Sequence, residues 1–327
     1  GESLGGWVAM ALLWMTGLTV AIDEIARRRG IAVPAPRPGA EANRLSVALA
    51  VLHFPLLALA VWALSGAAGH GFAGWIGTFL AFGLWFGQVS NSNAHELIHR
   101  RDRWLFRLGM WVYVSLLFGH HTSAHRLVHH RFVATTDDPN TAAEGESFYA
   151  FAARAWPGAF VAGYEMEAQR LGATGIDWRR PNPYILYVVG GLAFVILATA
   201  LFGIDGLIAY LLLCAHAQIQ LLLSDYVQHY GLQRARLPSG TLMPAGPQHS
   251  WDAPHPLSGL MMLNAARHAD HHAHPGRPYT ELAPAPGGCT PILPHSLPVM
   301  ATIALIPPLW FRLMDRRLAA LRQRGAA

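Results

Sequence analysis

Charge is scarce in this chain. Asp, Glu, Lys and Arg together make up 13% of its 327 residues, about half the share of an ordinary soluble domain. Hydrophobic residues make up 53% and mean hydropathy is +0.27, so the deficit excludes a soluble protein. No linker or break in composition divides the chain, which excludes a two-domain layout and predicts one integral membrane domain over 1–327. Cysteine is scarce too. Cys214 and Cys289 are the only two, and neither belongs to a CxxC pair, so a zinc ribbon and an iron–sulfur site are excluded. The first apolar run is not expected to be a cleavable signal peptide, because Arg27, Arg28 and Arg29 follow it where small residues would mark a cleavage site. The basic balance, +5 with a pI near 9.6, comes from arginines flanking apolar runs and gives no support to nucleic-acid binding.

What is present is a set of runs near the length of about 20 apolar residues that spans a bilayer. They are Leu4–Ile22, Leu45–Leu64, Gly71–Ser90, Tyr184–Phe202 and Gly206–Leu223. Trp104–Gly119 is shorter and contains Arg107, and Leu293–Phe311 is interrupted by Pro294, Pro298, Pro307 and Pro308. Positive charge marks the cytoplasmic side. Arg27, Arg28, Arg29, Arg37 and Arg44 follow the first run, no basic residue lies in Ser65–His70, and Arg100, Arg101 and Arg103 follow the third. This orientation predicts an all-α integral membrane protein, a bundle of five to six transmembrane helices, with 104–119 and 293–311 re-entrant or interfacial. The last run is expected to lie at the interface, anchored by Trp310 and Arg312. Five spans would put the N-terminus outside, so one more N-terminal helix is expected to be missing here or to have been lost in evolution.

Nine histidines fall into four clusters beside these runs: His95 and His99; His125, His129 and His130; His229; and His268, His271 and His272. Imidazole is the commonest side-chain ligand for a transition metal, and nine are too many for one ion, so the count points to two metals. His95 and His99 stand four apart on one helix face and can share an ion. His95-Glu96-Leu97-Ile98-His99 also fits the HExxH pattern of zinc proteases, but that chemistry uses three protein ligands and leaves the other clusters unexplained. A metal transporter is also considered, but clusters confined to one membrane face offer no midplane path. If all four clusters meet, Trp104–Gly119 must return to the side it left. Two redox metals at the wet end of apolar helices suggest oxygen activation on a lipid-soluble substrate, with iron the best fit to a strong C–H bond.

Five blocks carry a resemblance: NSNAHELIHR at 91–100, the stretch 119–139 ending HHRFVATTDDP, GESFY at 145–149, DYVQHYGL at 225–232 and RHADHHAHP at 267–275. Together with His249-Ser250-Trp251 and the run 308–315, the chain resembles the membrane-bound non-haem di-iron alkane 1-monooxygenases from about Leu4 to Asp315. Xylene monooxygenases, and more distantly the membrane fatty-acid desaturases, are related. The resemblance implies O2-dependent terminal hydroxylation of linear alkanes to primary alcohols by two iron ions. It implies a cytoplasm-facing site in a bacterial inner membrane, and electrons from a separate rubredoxin served by its reductase. Benzylic methyl hydroxylation and fatty-acid desaturation are the alternatives. The ligands it implies are the nine histidines, with some from each cluster on each iron. Ala124, Asp225 and Gln228 depart from the family pattern and are expected to retune hydrogen bonds around the ligands.

Glu96, Asp138, Asp225, Gln228 and Asp270 flank the clusters and are expected to orient imidazoles from behind; helix capping or solvated charge is the plainer reading. Trp14 aligns with a helix that lines the family's substrate channel, which makes it a candidate gauge of chain length. His216, inside a span with Gln218 and Gln220, is expected to form a helix–helix hydrogen bond; His53 and His70 are expected to be structural or interfacial. Arg126, Arg131, Arg179, Arg180, Arg234, Arg236 and Arg267 join the arginines after the third run as a face suited to an acidic electron carrier.

Overall fold

A computed structural model describes residues 2–31, 40–69, 71–173, 181–283 and 289–325. Arg37, His70, Arg179 and Arg180 lie outside them. The described residues are helical apart from loops and two isolated bridges, Arg236 with Leu242 and Asp252 with Ile292. Four helices are long and apolar enough to cross a membrane: α1 (Gly5–Arg28), α2 (Ala42–Ala67), α3 (Phe72–Ile98) and, further along, the 46-residue helix Tyr184–His229. Between them come α4 (Arg103–Ser115) and α5 (Phe148–Ala173), which makes Tyr184–His229 α6.

A straight helix of 46 residues would be about 69 Å long, more than twice the hydrocarbon thickness of a bilayer. It is not straight. Gly203 adopts φ 68° and ψ −163°, a conformation open to glycine, and the chain doubles back there. A Cβ on Gly206 would stand 3.3 Å from the carbonyl of Ala198, a proximity that residues eight apart in one helix never reach. The two arms pack through Ala198, Ala209, Tyr210 and Leu213 against Leu57, Phe86 and Tyr113. His53 cross-links this core, with ring nitrogens 3.0 Å from the Ser90 hydroxyl and 2.8 Å from that of Ser115.

α4 begins at Asp102, whose carboxylate accepts from the backbone N–H groups of Trp104 and Leu105, a helix cap. Its 13 residues reach about 20 Å. At Leu117 (φ 56°) the chain reverses, and the helical segment His121–Phe132 carries the second histidine cluster back along α4 and onto α5.

The C-terminal part holds the short helices α7 (Pro256–Met261), α8 (His268–Ala273) and α9 (Leu297–Ala304), then α10 (Pro307–Gly325). Here the expectation of an interfacial Trp310 is corrected. Trp310 is fully buried, its ring 5.1 Å from Tyr226 and 5.3 Å from Tyr230. The prolines 307 and 308 start a new helix, where a missing N–H costs nothing, and so turn Trp310 inward. The Tyr230 hydroxyl donates to Asp315 and accepts from the Gly145 N–H, while that of Tyr226 donates to the Glu146 carbonyl. These bonds tie the loop before α5 to the end of α6 and to α10.

Candidate metal centre

All nine histidines converge. His95, His99, His125, His130 and His271 form one group, and His129, His229, His268 and His272 another; within each group the candidate ligand atoms lie within 4.8 Å of one another. The local helix geometry explains the division. His95 and His99, and likewise His268 and His272, stand four apart in α-helices and stay together, as the spacing predicts. Ala124–His129 is instead a π-helical turn, widened so that residues five apart face the same way. It pairs His125 with His130, Nε2 atoms 3.0 Å apart, and sends His129 to the other group. The expectation that every cluster serves both ions is therefore corrected: the second and fourth clusters are split, and the first and third are not.

The donor set fits a metal pair. Neighbouring Nε2 atoms stand 2.8 Å (His95–His125), 3.0 Å (His130–His125) and 3.1 Å (His271–His130) apart in the first group. In the second, both His268–His229 and His272–His268 are 3.0 Å apart. With metal–nitrogen bonds of about 2.1 Å, ligands at right angles stand about 3.0 Å apart and tetrahedral ones about 3.4 Å. Nearest spacings of this size, with every donor of a group within 4.8 Å of the others, suit imidazoles that share one ion. Five and four converging lone pairs cannot all be satisfied by sharing protons, and the buried Nε2 atoms of His99 and His129 have no hydrogen-bond partner. Burial, then repulsion from neighbouring imidazoles, holds His125, His130, His268, His271 and His272 well below the usual imidazole pKa, in the neutral form that ligates. For His129 burial acts downward as well, but the charge and hydrogen bond of Asp138 outweigh it and raise the group.

Of the five expected supporting side chains, Asp138 alone among the described contacts reaches a clustered imidazole, 2.8 Å from His129 Nδ1. That bond leaves His129 Nε2 facing the group. The others bind elsewhere. Glu96 pairs with Arg100 at 2.6 Å and accepts from the Tyr279 N–H. Asp225 accepts from the Asn140 amide. Gln228 accepts from Ser224 and donates to the Ala265 carbonyl. Asp270 takes His274, Arg277 and the Ala283 N–H. Two supports are additional. The His249 carbonyl lies 3.3 Å from His229 Nδ1, and Asp252 accepts from the Ala269 N–H at 2.8 Å, steadying the start of α8. Both sit in the run His249-Ser250-Trp251-Asp252, and a carboxylate following a block of the resemblance was the available signal for Asp252.

A cavity of about 400 Å³ runs from this centre into the helix bundle. His95 and His125 of the first group and His268 of the second open onto it, as do Met15, Leu84, Ile219, Leu221, Met262 and Leu305. Trp14 is half-exposed and is not among the lining residues; its neighbours Met15 and Thr16 are. The helical register places Met15 where Trp14 was expected. His216 lines the cavity as well, but the helix–helix hydrogen bonds come from Gln218 to the Leu116 carbonyl and from Gln220 to the Gly83 carbonyl.

Comparison with known proteins places this architecture in a class. Residues 72–303 match the fatty acid desaturase family. Similar proteins include alkane 1-monooxygenase 1 of Alcanivorax borkumensis, 35% identical over an alignment covering 95% of this chain and 78% of that protein. The alkane 1-monooxygenase of Ectopseudomonas oleovorans is 33% identical over 80% of this chain and 64% of its own length. The hydroxylase component of the xylene/toluene monooxygenase of Pseudomonas putida is 30% identical over 68% of this chain and 58% of its own. The chain belongs to the fatty acid desaturase family and, within it, to the alkane 1-monooxygenases, which are oxidoreductases.

Proposed function

We propose that the protein hydroxylates the terminal methyl of linear alkanes to primary alcohols, using O2 and a pair of irons held by the nine histidines. One observation carries this reading: a mainly apolar cavity is lined by histidines from both groups. Iron is the ion whose chemistry with O2 can break an unactivated C–H bond. The protein's own part is placement. His95, His125 and His268 form the end of the cavity, Tyr113, Asn91 and His121 wall that end, and the apolar remainder aligns the chain and excludes water.

The family suggests a redox partner, and a rubredoxin with its reductase is the donor proposed here. Arg101, Arg103, Arg126 and Arg131 are exposed on this side for an acidic partner, whereas Arg234 is spent on the Met243 and Arg131 carbonyls and Arg100 on Glu96. In a bacterial inner membrane the two arms of α6 would count as two spans, α4 would be re-entrant, and the histidines would face the cytoplasm.

The test is metal analysis of active protein, then product identification after feeding octane, hexadecane and xylene with a rubredoxin system. Two irons per chain and 1-alkanols are expected. Zinc, or one iron or fewer, overturns the metal assignment. Alkenes alone would mean desaturation, and a preference for xylene would move the protein towards its xylene/toluene relative.

A further inference from the structure

The division of the histidines rests on the π turn at Ala124–His129, where the His130 N–H reaches back five residues to the His125 carbonyl. An α-helix would bond four apart and would set His125 beside His129, not His130. π turns are rare single-turn insertions, and a sparsely populated backbone conformation persists only where its surroundings over-determine it.

Those surroundings are α5 and the start of α6. The buried stripe of α5 reads Ala155, Ala159, Gly163, Glu167, each four residues after the last. The first three have little or no side chain, so the turn comes close. A Cβ on Gly163 would stand 3.0 Å from the Cα of Ala124, and Ala159 shares a small void with Val128 and His129. The fourth is a carboxylate, only 6% exposed. Its Oε1 accepts from the hydroxyl of Ser123 at 2.6 Å, the residue just before the π turn. The Tyr187 hydroxyl of α6 lies 2.9 Å from the same Ser123 oxygen. Ser123 has one proton and gives it to Glu167, so Tyr187 donates here and Ser123 accepts. Arg170 holds the other carboxylate oxygen, Oε2, at 2.7 Å. At the far end of the turn Asp138 meets His129. The turn is thus held twice, by Asp138 at the ring of a clustered histidine and by Glu167 where the backbone enters. A buried carboxylate costs desolvation that an apolar side chain would not. What it adds is direction, since only an acceptor can orient the Ser123 hydroxyl.

We propose that Glu167 is a positioning residue for the metal centre. Acting through Ser123, it sets the register of the π turn and so assigns His130 to the five-histidine group and His129 to the four-histidine group. Without it the turn relaxes to an α-helix, His125 and His129 come onto one face, and both groups lose a correctly placed nitrogen. This rests on the histidines holding two metal ions and is independent of the substrate.

The test uses the complete chain, purified metal-free, and cobalt(II) alone, followed by its visible absorption. The wild type takes up two ions. In Glu167→Leu both bind about 10- to 100-fold more weakly. Ser123→Ala shows the same loss, and the double variant is no worse than either single one. Glu167→Gln keeps an oxygen for the Ser123 hydroxyl and restores most of the affinity. A Glu167 that served stability alone would lower the melting temperature of Glu167→Leu and leave cobalt affinity unchanged, which overturns the proposal. A loss confined to one ion overturns it too, because a shifted register disturbs both groups. Should Glu167→Leu fail to fold, Ser123→Ala, which deletes a single hydroxyl, decides alone. A second readout needs no metal: in the structure of metal-free Ser123→Ala, the His130 N–H is expected on the Arg126 carbonyl, and finding it still on that of His125 overturns the proposal. If the wild type takes up fewer than two ions and this bond nevertheless moves, the metal-pair reading fails while the control of the turn by Glu167 and Ser123 stands.

Discussion

The two histidine groups are built differently. The four-histidine group is buried throughout, and two of its rings are held from behind, His129 by Asp138 and His229 by the His249 carbonyl. In the five-histidine group His95, His99 and His130 are only partly buried, while Nδ1 atoms without a partner occur in both groups, at His125 and His130 here and at His268 and His272 there. The looser group also gives the cavity two of the three clustered histidines that line it, His95 and His125 against His268. On the proposed reading, the more deeply buried group would anchor one metal and the less buried group, beside the cavity, would accommodate incoming ligands.

The largest expected effect comes from cutting the looser group. His125→Ala removes a nitrogen within 3.0 Å of two others and is expected to lower product formation at least about a hundredfold, with iron falling from two per chain towards one. Full iron content in this variant breaks the comparison. Next is the stiff group. Asp138→Asn is expected to weaken metal retention or activity about 10- to 100-fold, measured by iron remaining after a chelator challenge. Asp270→Asn is the sharpening control: its carboxylate touches no clustered imidazole, so iron content should stay at the wild-type level.

Smaller effects belong to the cavity. Met15→Trp fills space beneath the histidines and is expected to move the product profile towards shorter alkanols, whereas Trp14→Ser, altering a side chain outside the lining, should leave the profile unchanged by gas chromatography. Smallest is Gln228→Glu. It removes the N–H donated to the Ala265 carbonyl and should cost about 1 kcal/mol of stability, read as a lowered melting temperature with both groups still loaded.

The convergence of the cluster histidines was legible in the sequence because a shared site demands a residue type at a local spacing, and local spacing survives folding. Their division was not. It depends on one π turn at Ala124–His129, whose hydrogen bonds leave no mark on an HxxxHH pattern. The supports behind the ligands were legible only for Asp138, which the following turn holds against His129. Glu96 and Asp270 sit beside ligands in sequence, but helix geometry points them at Arg100 and Arg277 instead. Trp14 failed by a single residue for a similar reason, since one step along a helix rotates a side chain by about 100°. The gap between the runs Tyr184–Phe202 and Gly206–Leu223 fell where Gly203 turns the chain, while Trp310 misled because an aromatic beside an arginine reads the same at an interface or in a core.

The tyrosine ties from α6 to Asp315 bear on how the protein is made. Neither group can be complete before α8 exists, because one needs His271 and the other His268 and His272. The residues that pin the end of α6, Trp310 and Asp315, are synthesised later still. During translation His95 and His99 therefore wait for His271 for more than half the chain's length, and His125 and His130 for somewhat less, so that neither group closes until α8 has been made.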